Sequence, residues 1–270
     1  LKEFIVKQED SLKKFTDNTY PQGSFYFNAL LKKKDIKVNG VKTGKDIPLR
    51  AGDRVTYYTT ATQEGKEVYA VAYEDENILV ADKESGVNSE ALFNALSERG
   101  EYYFIHRLDR NTQGLIVFAK NPKTEEELLS LFKEKNVTKI YHALCVGIFP
   151  EKHDILTAYL QKNAESSFVK IYDKPIGEKI VTEYKVLREY DDLSLAEITL
   201  HTGKTHQIRA HLAHIGHPVL GDTKYGDKSY NEKYKRTRQC LIAKSLQIQS
   251  NGVLSYLKGK IFTSKFDFSD

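Results

Sequence analysis

The chain has 270 residues, 40% hydrophobic and 29% charged, which is enough apolar material for one large domain with or without a small appendage. No apolar run approaches the length needed to cross a bilayer, and the opening stretch LKEFIVKQEDSLKKF has no apolar signal-peptide core. Cys145 and Cys240 stand alone, without the spacing of a disulfide framework or a zinc ribbon, so a cytoplasmic protein with no membrane partner is expected.

In chain order, residues 10–16 read as a short helix presenting Leu12 and Phe15 inward. FNALLKKKD ends a second helix with Leu30 and Leu31 inward, and IKVNGVK is a hairpin across Asn39-Gly40. IPLRAGDRVTYY adds a turn at Ala51-Gly52-Asp53 and a strand over 54–58. The net charge is only +4, but residues 30–54 carry eight basic and three acidic side chains, a net +5, so the rest of the chain is close to neutral. Positive charge concentrated in this way suits a phosphate-bearing partner. Lys32, Lys33, Lys34, Lys37 and Lys42 are the candidate contacts.

TTATQEGKE, residues 59–67, has no apolar period and reads as a linker. A hairpin follows, with strands over 68–73 and 78–81, and LIVFA at 115–119 reads as a buried strand. Asn121 and Pro122 supply an N-cap and a first helical residue for a helix over 123–134 that buries Leu128, Leu131 and Phe132. KIYHALCVGIF, EKIVTEYKVLREY and LSLAEITLHTG read as strands, the last two joined across Asp191-Asp192. THQIRAHLAHIG reads as a helix burying Ile208, Leu212 and Ile215. The resulting fold class is α+β, mixed and mainly antiparallel.

Two polar stretches resist a purely structural reading. HRLDRNTQG, at 106–114, sets Asp109 between Arg107 and Arg110 at the mouth of a core strand. HTGKTHQIRAHLAHIGHPVLGDTKYG, at 201–226, holds five of the eight histidines. Neither HExxH nor a zinc-spaced cysteine accompanies them, so no metal site is expected. No phosphate-cradling glycine loop is present either.

HRLDRNTQG with its apolar strand, TGKTHQIRAHLAHIGHPVLGDTKYG, KIYHALCVG and YEDENILVADKESG resemble the signature blocks of the RluA-type pseudouridine synthases. LLKKKDIKVNG followed by LRAGDRV is similar to the alpha-L RNA-binding domain. The resemblance implies an RNA-binding domain over 1–58, a linker over 59–67 and a catalytic domain over 68–270. It also implies uridine-to-pseudouridine isomerisation without a cofactor, in ribosomal RNA, chiefly of the large subunit, ahead of transfer RNA, by a monomer. Asp109 is then the carboxylate at the anomeric carbon, Arg209 its cation, and Tyr141 the phenol that lies against the base and accepts a sugar proton. His106, Arg107, Arg110, Lys204 and Gln207 would bind substrate, with Arg110 on the RNA backbone or filling the gap left by the extruded uridine. Gly114 would give the backbone room where the turn enters the strand. Attack by the carboxylate and prior loss of a sugar proton both remain open as routes. A non-catalytic RNA-binding factor on the same scaffold is the alternative from another class.

Overall fold

A computed structural model describes residues 1–163 and 168–268. The N-terminal part carries the two helices expected there, Leu12–Thr19 and Pro21–Lys33. Ser11 caps the first through its hydroxyl, and Pro21 opens the second, where its missing N–H costs nothing. They pack on a four-stranded sheet in the order Lys2–Ile5, Arg54–Tyr57, Ile36–Val38, Val41–Thr43. The strand Lys2–Ile5 was not read in the sequence, because its alternation is short and highly charged. Asn39 and Gly40 both adopt left-handed backbone (φ 51° and 81°), as a two-residue hairpin turn requires. Leu12, Phe27, Leu30, Ile36, Val55 and Tyr57 form a core of their own.

The segment read as a linker contains a helical turn, Ala61–Glu64, closed by a capping box between Thr60 and Gln63. Glu64 accepts from the Tyr20 hydroxyl, so this stretch is tied to the N-terminal core.

A second sheet of eleven strands forms the rest of the scaffold. Its central run is Leu193–Leu200, Val137–Val146, Leu241–Ile248, Gln113–Ala119 and Ile78–Lys83, in that lateral order. Pairing is antiparallel except between Gln113–Ala119 and Leu241–Ile248. Alternation along Gln113–Ala119 feeds two cores. Ile116 and Phe118 meet Leu92 and Leu96 of the helix Ser89–Ser97 and Ile208 and Leu212 of the helix Gln207–His214. Leu115, Val117 and Ala119 meet Leu128 and Leu131 of the helix Pro122–Lys133. Covered on both faces, this strand is an unbroken apolar run rather than an alternating one. Phe132 is only half-buried, because its ring stacks on His106 instead of entering the core.

Candidate active site

Ala243 lies at the junction that assembles the site. It pairs with Gly114 on one side and with Tyr141 on the other. The register jumps here: Ile140 pairs with Ser245 and the next residue, Tyr141, with Ala243, leaving Lys244 as the extra residue of a bulge. A bulge re-aims the side chains beside it. Gly114 has φ 110°, and a Cβ there would lie 2.4 Å from the Ala243 carbonyl oxygen, so only glycine permits this approach. The turn bearing Asp109 therefore ends level with Tyr141, one strand away.

That turn is held from below. Ser89 exchanges two hydrogen bonds with the backbone of Leu108, each 3.0 Å. The Ser85 hydroxyl donates to the Asn111 carbonyl at 2.9 Å, and the Gly86 N–H to that of Arg110 at 2.8 Å. Lys83, fully buried, donates to the carbonyls of Val87 (2.8 Å), Glu84 (3.0 Å) and Arg110 (3.2 Å). Burial pulls its pKa down to about 7, with the Asp109 charge acting the other way.

Asp109 opens onto a cleft of about 650 Å³ that Tyr141 and Arg209 also line. Arg209 Nη1 donates to Asp109 Oδ2 at 2.7 Å. Its Nε and Nη2 donate to the two oxygens of Asp222, at 2.6 and 2.8 Å, in the bidentate geometry that a guanidinium favours. Burial opposes both charges of that pair, yet each stays ionised. Asp222 and then Asp109 raise the arginine pKa, while Arg209 and the N–H groups of Lys224 and Tyr225 hold the Asp222 carboxyl below its usual range. The Tyr225 ring covers the guanidinium, 5.3 Å from its centroid. His206 Nε2 stands 3.9 Å from Asp109 Oδ2, and its Nδ1 meets the Tyr225 hydroxyl at 2.9 Å. Burial, aided by Arg209 and Lys224, brings its pKa down to about 4, so the ring is neutral near pH 7. Burial, reinforced by the Asp109 charge, pushes the Tyr141 phenol up, and it too is neutral.

The other expected substrate contacts divide. Arg107 and Lys204 line the cleft and pair with Glu90 and Glu178 respectively. His106 lines it as well, but its Nε2 accepts the Val117 N–H at 3.2 Å and burial lowers its pKa to about 3, which makes it a neutral strand-edge partner. Gln207 has its amide fully engaged. The Nε2 group donates to the Val181 carbonyl and the Thr182 hydroxyl, and Oε1 accepts from Thr202 and from the Lys204 N–H. Gln207 therefore braces the loop rather than presenting a group to a ligand. Arg110 turns away from the cleft, where the sequence reading put it on the substrate. Its Nε donates to the Gly86 carbonyl at 3.1 Å, and its Nη atoms reach Asp17 (3.3 Å) and the Ser24 carbonyl. It thus ties the turn bearing Asp109 to the N-terminal helices.

The five clustered histidines each meet a different partner: Glu183, Tyr225, Thr182, Asp173 and the Val146 carbonyl. Among the described residues no group of three or more His, Cys, Asp or Glu is placed to hold a metal ion, and no helix is long and apolar enough to cross a membrane. In the basic segment Lys32, Lys33, Lys34 and Lys42 are exposed, and the half-buried Lys37 lies over the Tyr58 ring at 4.9 Å. Asp222, Tyr225 and Lys83 were not singled out from sequence. The GDTKYG end of the second motif was the available signal for the first two, and the ADK end of the hairpin for the third.

A mainly antiparallel sheet with an aspartate, an arginine and a tyrosine gathered at one cleft defines the class, and comparison with known proteins agrees. Residues 69–214 match the RNA pseudouridylate synthase family model. An uncharacterized RNA pseudouridine synthase of Aquifex aeolicus is 33% identical, over 84% of this chain and 80% of its own length. Ribosomal large subunit pseudouridine synthase C of Vibrio cholerae is 30% identical, over 75% of this chain and 72% of its own. The solved structure of human RNA pseudouridylate synthase domain containing 1 superposes with a TM-score of 0.62 at 29% identity, covering 69% of this chain and 81% of that one. The chain belongs to the RNA pseudouridylate synthase family, within its RluA-type branch. It is an isomerase that acts on RNA.

Proposed function

We propose that this chain converts uridine to pseudouridine in large-subunit ribosomal RNA, with Asp109 as the carboxylate at the reacting sugar. The overall change breaks the bond from N1 to C1′, forms one from C5 to C1′, and moves the C5 proton to N1. Atoms and electrons balance within the nucleotide. What the protein must supply is negative charge where C1′ turns electron-poor, and room for an unstacked base.

The observation that carries this reading is the 2.7 Å bond from Arg209 to Asp109 inside a cleft that also holds Tyr141. Arg209 orients the carboxylate and sets a positive charge against it. Because Asp222 holds the other edge of the guanidinium, Arg209 cannot swing away to pair with solvent or a phosphate. Tyr141 is the platform for the base. Its neutral phenol would have to give up its own proton before it could accept one from the sugar.

Relatives named for the ribosomal large subunit favour ribosomal over transfer RNA. The net +5 of residues 30–54 supports residues 1–58 as an RNA-binding domain joined through 59–67 to a catalytic domain over 68–270. A monomer acting in the cytoplasm completes the proposal. The test is Asp109→Asn, which preserves the shape and an acceptor for Arg209. Isomerisation of a large-subunit ribosomal RNA transcript should fall at least about 10⁴-fold while RNA affinity stays within about threefold. Normal turnover by this variant would refute the assignment.

A further inference from the structure

Lys139 precedes Tyr141 by two residues on the strand Val137–Val146, so both side chains leave the same face of the sheet, and both line the cleft. Its ammonium differs from those of the other lysines that are partly or wholly buried near the site. Lys83 donates to three carbonyls. Lys120 reaches Glu74 and the Asp75 carbonyl, and Lys244 reaches Asp267 and two carbonyls. Among the described residues, the half-buried Lys139 ammonium meets neither a carboxylate nor a carbonyl. It lies 5.2 Å from the centroid of the Phe132 ring, whose other neighbour is His106. Across the cleft its neighbour is Gly203, where a Cβ would stand 3.5 Å from Nζ, in ordinary van der Waals contact. Burial lowers its pKa, and no anion offsets the effect. Lys133 and Lys135 are exposed on the same rim and add positive potential.

A partly desolvated cation without a counter-charge is unfavourable in the free protein, and an anionic ligand entering the cleft would supply the missing partner. We propose that Lys139 is a substrate-contacting residue that holds a backbone phosphate of the target strand beside the uridine facing Tyr141. This rests on the reading of the cleft as the uridine site. Nζ stands against the Phe132 ring on the wall of the same cleft, within the run of positive charge that Lys133 and Lys135 continue along the rim.

The experiment measures binding of the full chain to a large-subunit ribosomal RNA transcript over a salt series, together with thermal melting, for wild type, Lys139→Met and Lys139→Arg. Lys139→Met should bind about tenfold more weakly, flatten the salt dependence by about one unit of slope, and melt at the same temperature as wild type or higher. Lys139→Arg should restore affinity and slope. An unchanged slope in Lys139→Met would overturn the phosphate assignment and leave a base contact in its place. A lower melting temperature with unchanged affinity would overturn it in favour of a packing role. Asp109→Asn run in parallel separates the two readings, because full activity of that variant removes the active site itself, whereas normal binding by Lys139→Met removes only this contact.

Discussion

Lys83 is one of the side chains that anchor the turn bearing Asp109, and its environment sets a pH signature. In the unfolded chain a lysine amine titrates near pH 10.4, roughly, whereas in the fold burial brings Lys83 to about 7. Between those values the unfolded chain holds a proton that the folded chain sheds, so this residue makes stability rise with pH across the window. At about 1.4 kcal/mol per pH unit, the span from about pH 7 to about pH 9.5 has a ceiling of about 3 kcal/mol. Three carbonyl acceptors at 2.8–3.2 Å favour the ammonium, which offers one proton to each, and the actual rise should fall below that ceiling. Lys83→Met removes the titration but leaves the Val87 and Glu84 carbonyls without this donor, at about 1–3 kcal/mol for each that water cannot reach, and the Arg110 carbonyl with the Gly86 N–H alone. Denaturant unfolding of both proteins across this pH range is the assay. Wild type minus variant should widen as pH rises, and turnover of the variant should fall because the Arg110 carbonyl, one residue from Asp109, keeps only one of its two donors. Parallel stability curves with unchanged turnover would refute the reasoning.

Asp222→Asn should cost about 3–5 kcal/mol, because it leaves a buried guanidinium facing an amide that matches only one of its two donors. Since the Asp222 pKa is lowered in the fold, its contribution is present above the unfolded value of about 4 and is lost as pH falls below it. Acid unfolding followed by circular dichroism should therefore show a shallower acid limb in this variant, and an identical limb would contradict the pairing. Replacing Lys32, Lys33 and Lys34 together by Gln should leave melting unchanged, since these exposed side chains make no ion pair among the described residues. It should lower the salt slope of RNA binding by about one for each phosphate that these lysines neutralise in the wild type. A slope equal to wild type would place the RNA elsewhere.

Local chemistry was well represented in the sequence. The Asn39-Gly40 hairpin, the Asn121-Pro122 helix start and the apolar run at 115–119 each depend on residues a few positions apart, and each stands where its pattern put it. The motifs also put Asp109, Tyr141 and Arg209 in one cleft. Other parts were silent. The helical turn Ala61–Glu64 is a four-residue event, below the length at which an apolar period can show. The strands His153–Lys162 and Leu241–Ile248 alternate too weakly to stand out alone, and they gain definition from their neighbours in the sheet.

Side-chain partners were the least legible feature. Arg110 looked like a substrate ligand beside Asp109, yet it crosses to Asp17 and Ser24, and Gln207 spends its amide on its own loop and on Val181 and Thr182 of a neighbouring strand. Composition and short-range pattern determined most of the elements, the family and the candidates for the reactive groups, because these follow from backbone preferences and from residues adjacent in the chain. Tertiary structure alone decided which charge meets which. Arg209 lies 100 positions from Asp109 and 13 from Asp222, and their bonds exist only because a bulge, a glycine and a helix bring those segments within 3 Å. A Coulomb contact depends on that separation and on the water excluded around it, and neither quantity is written locally in a chain.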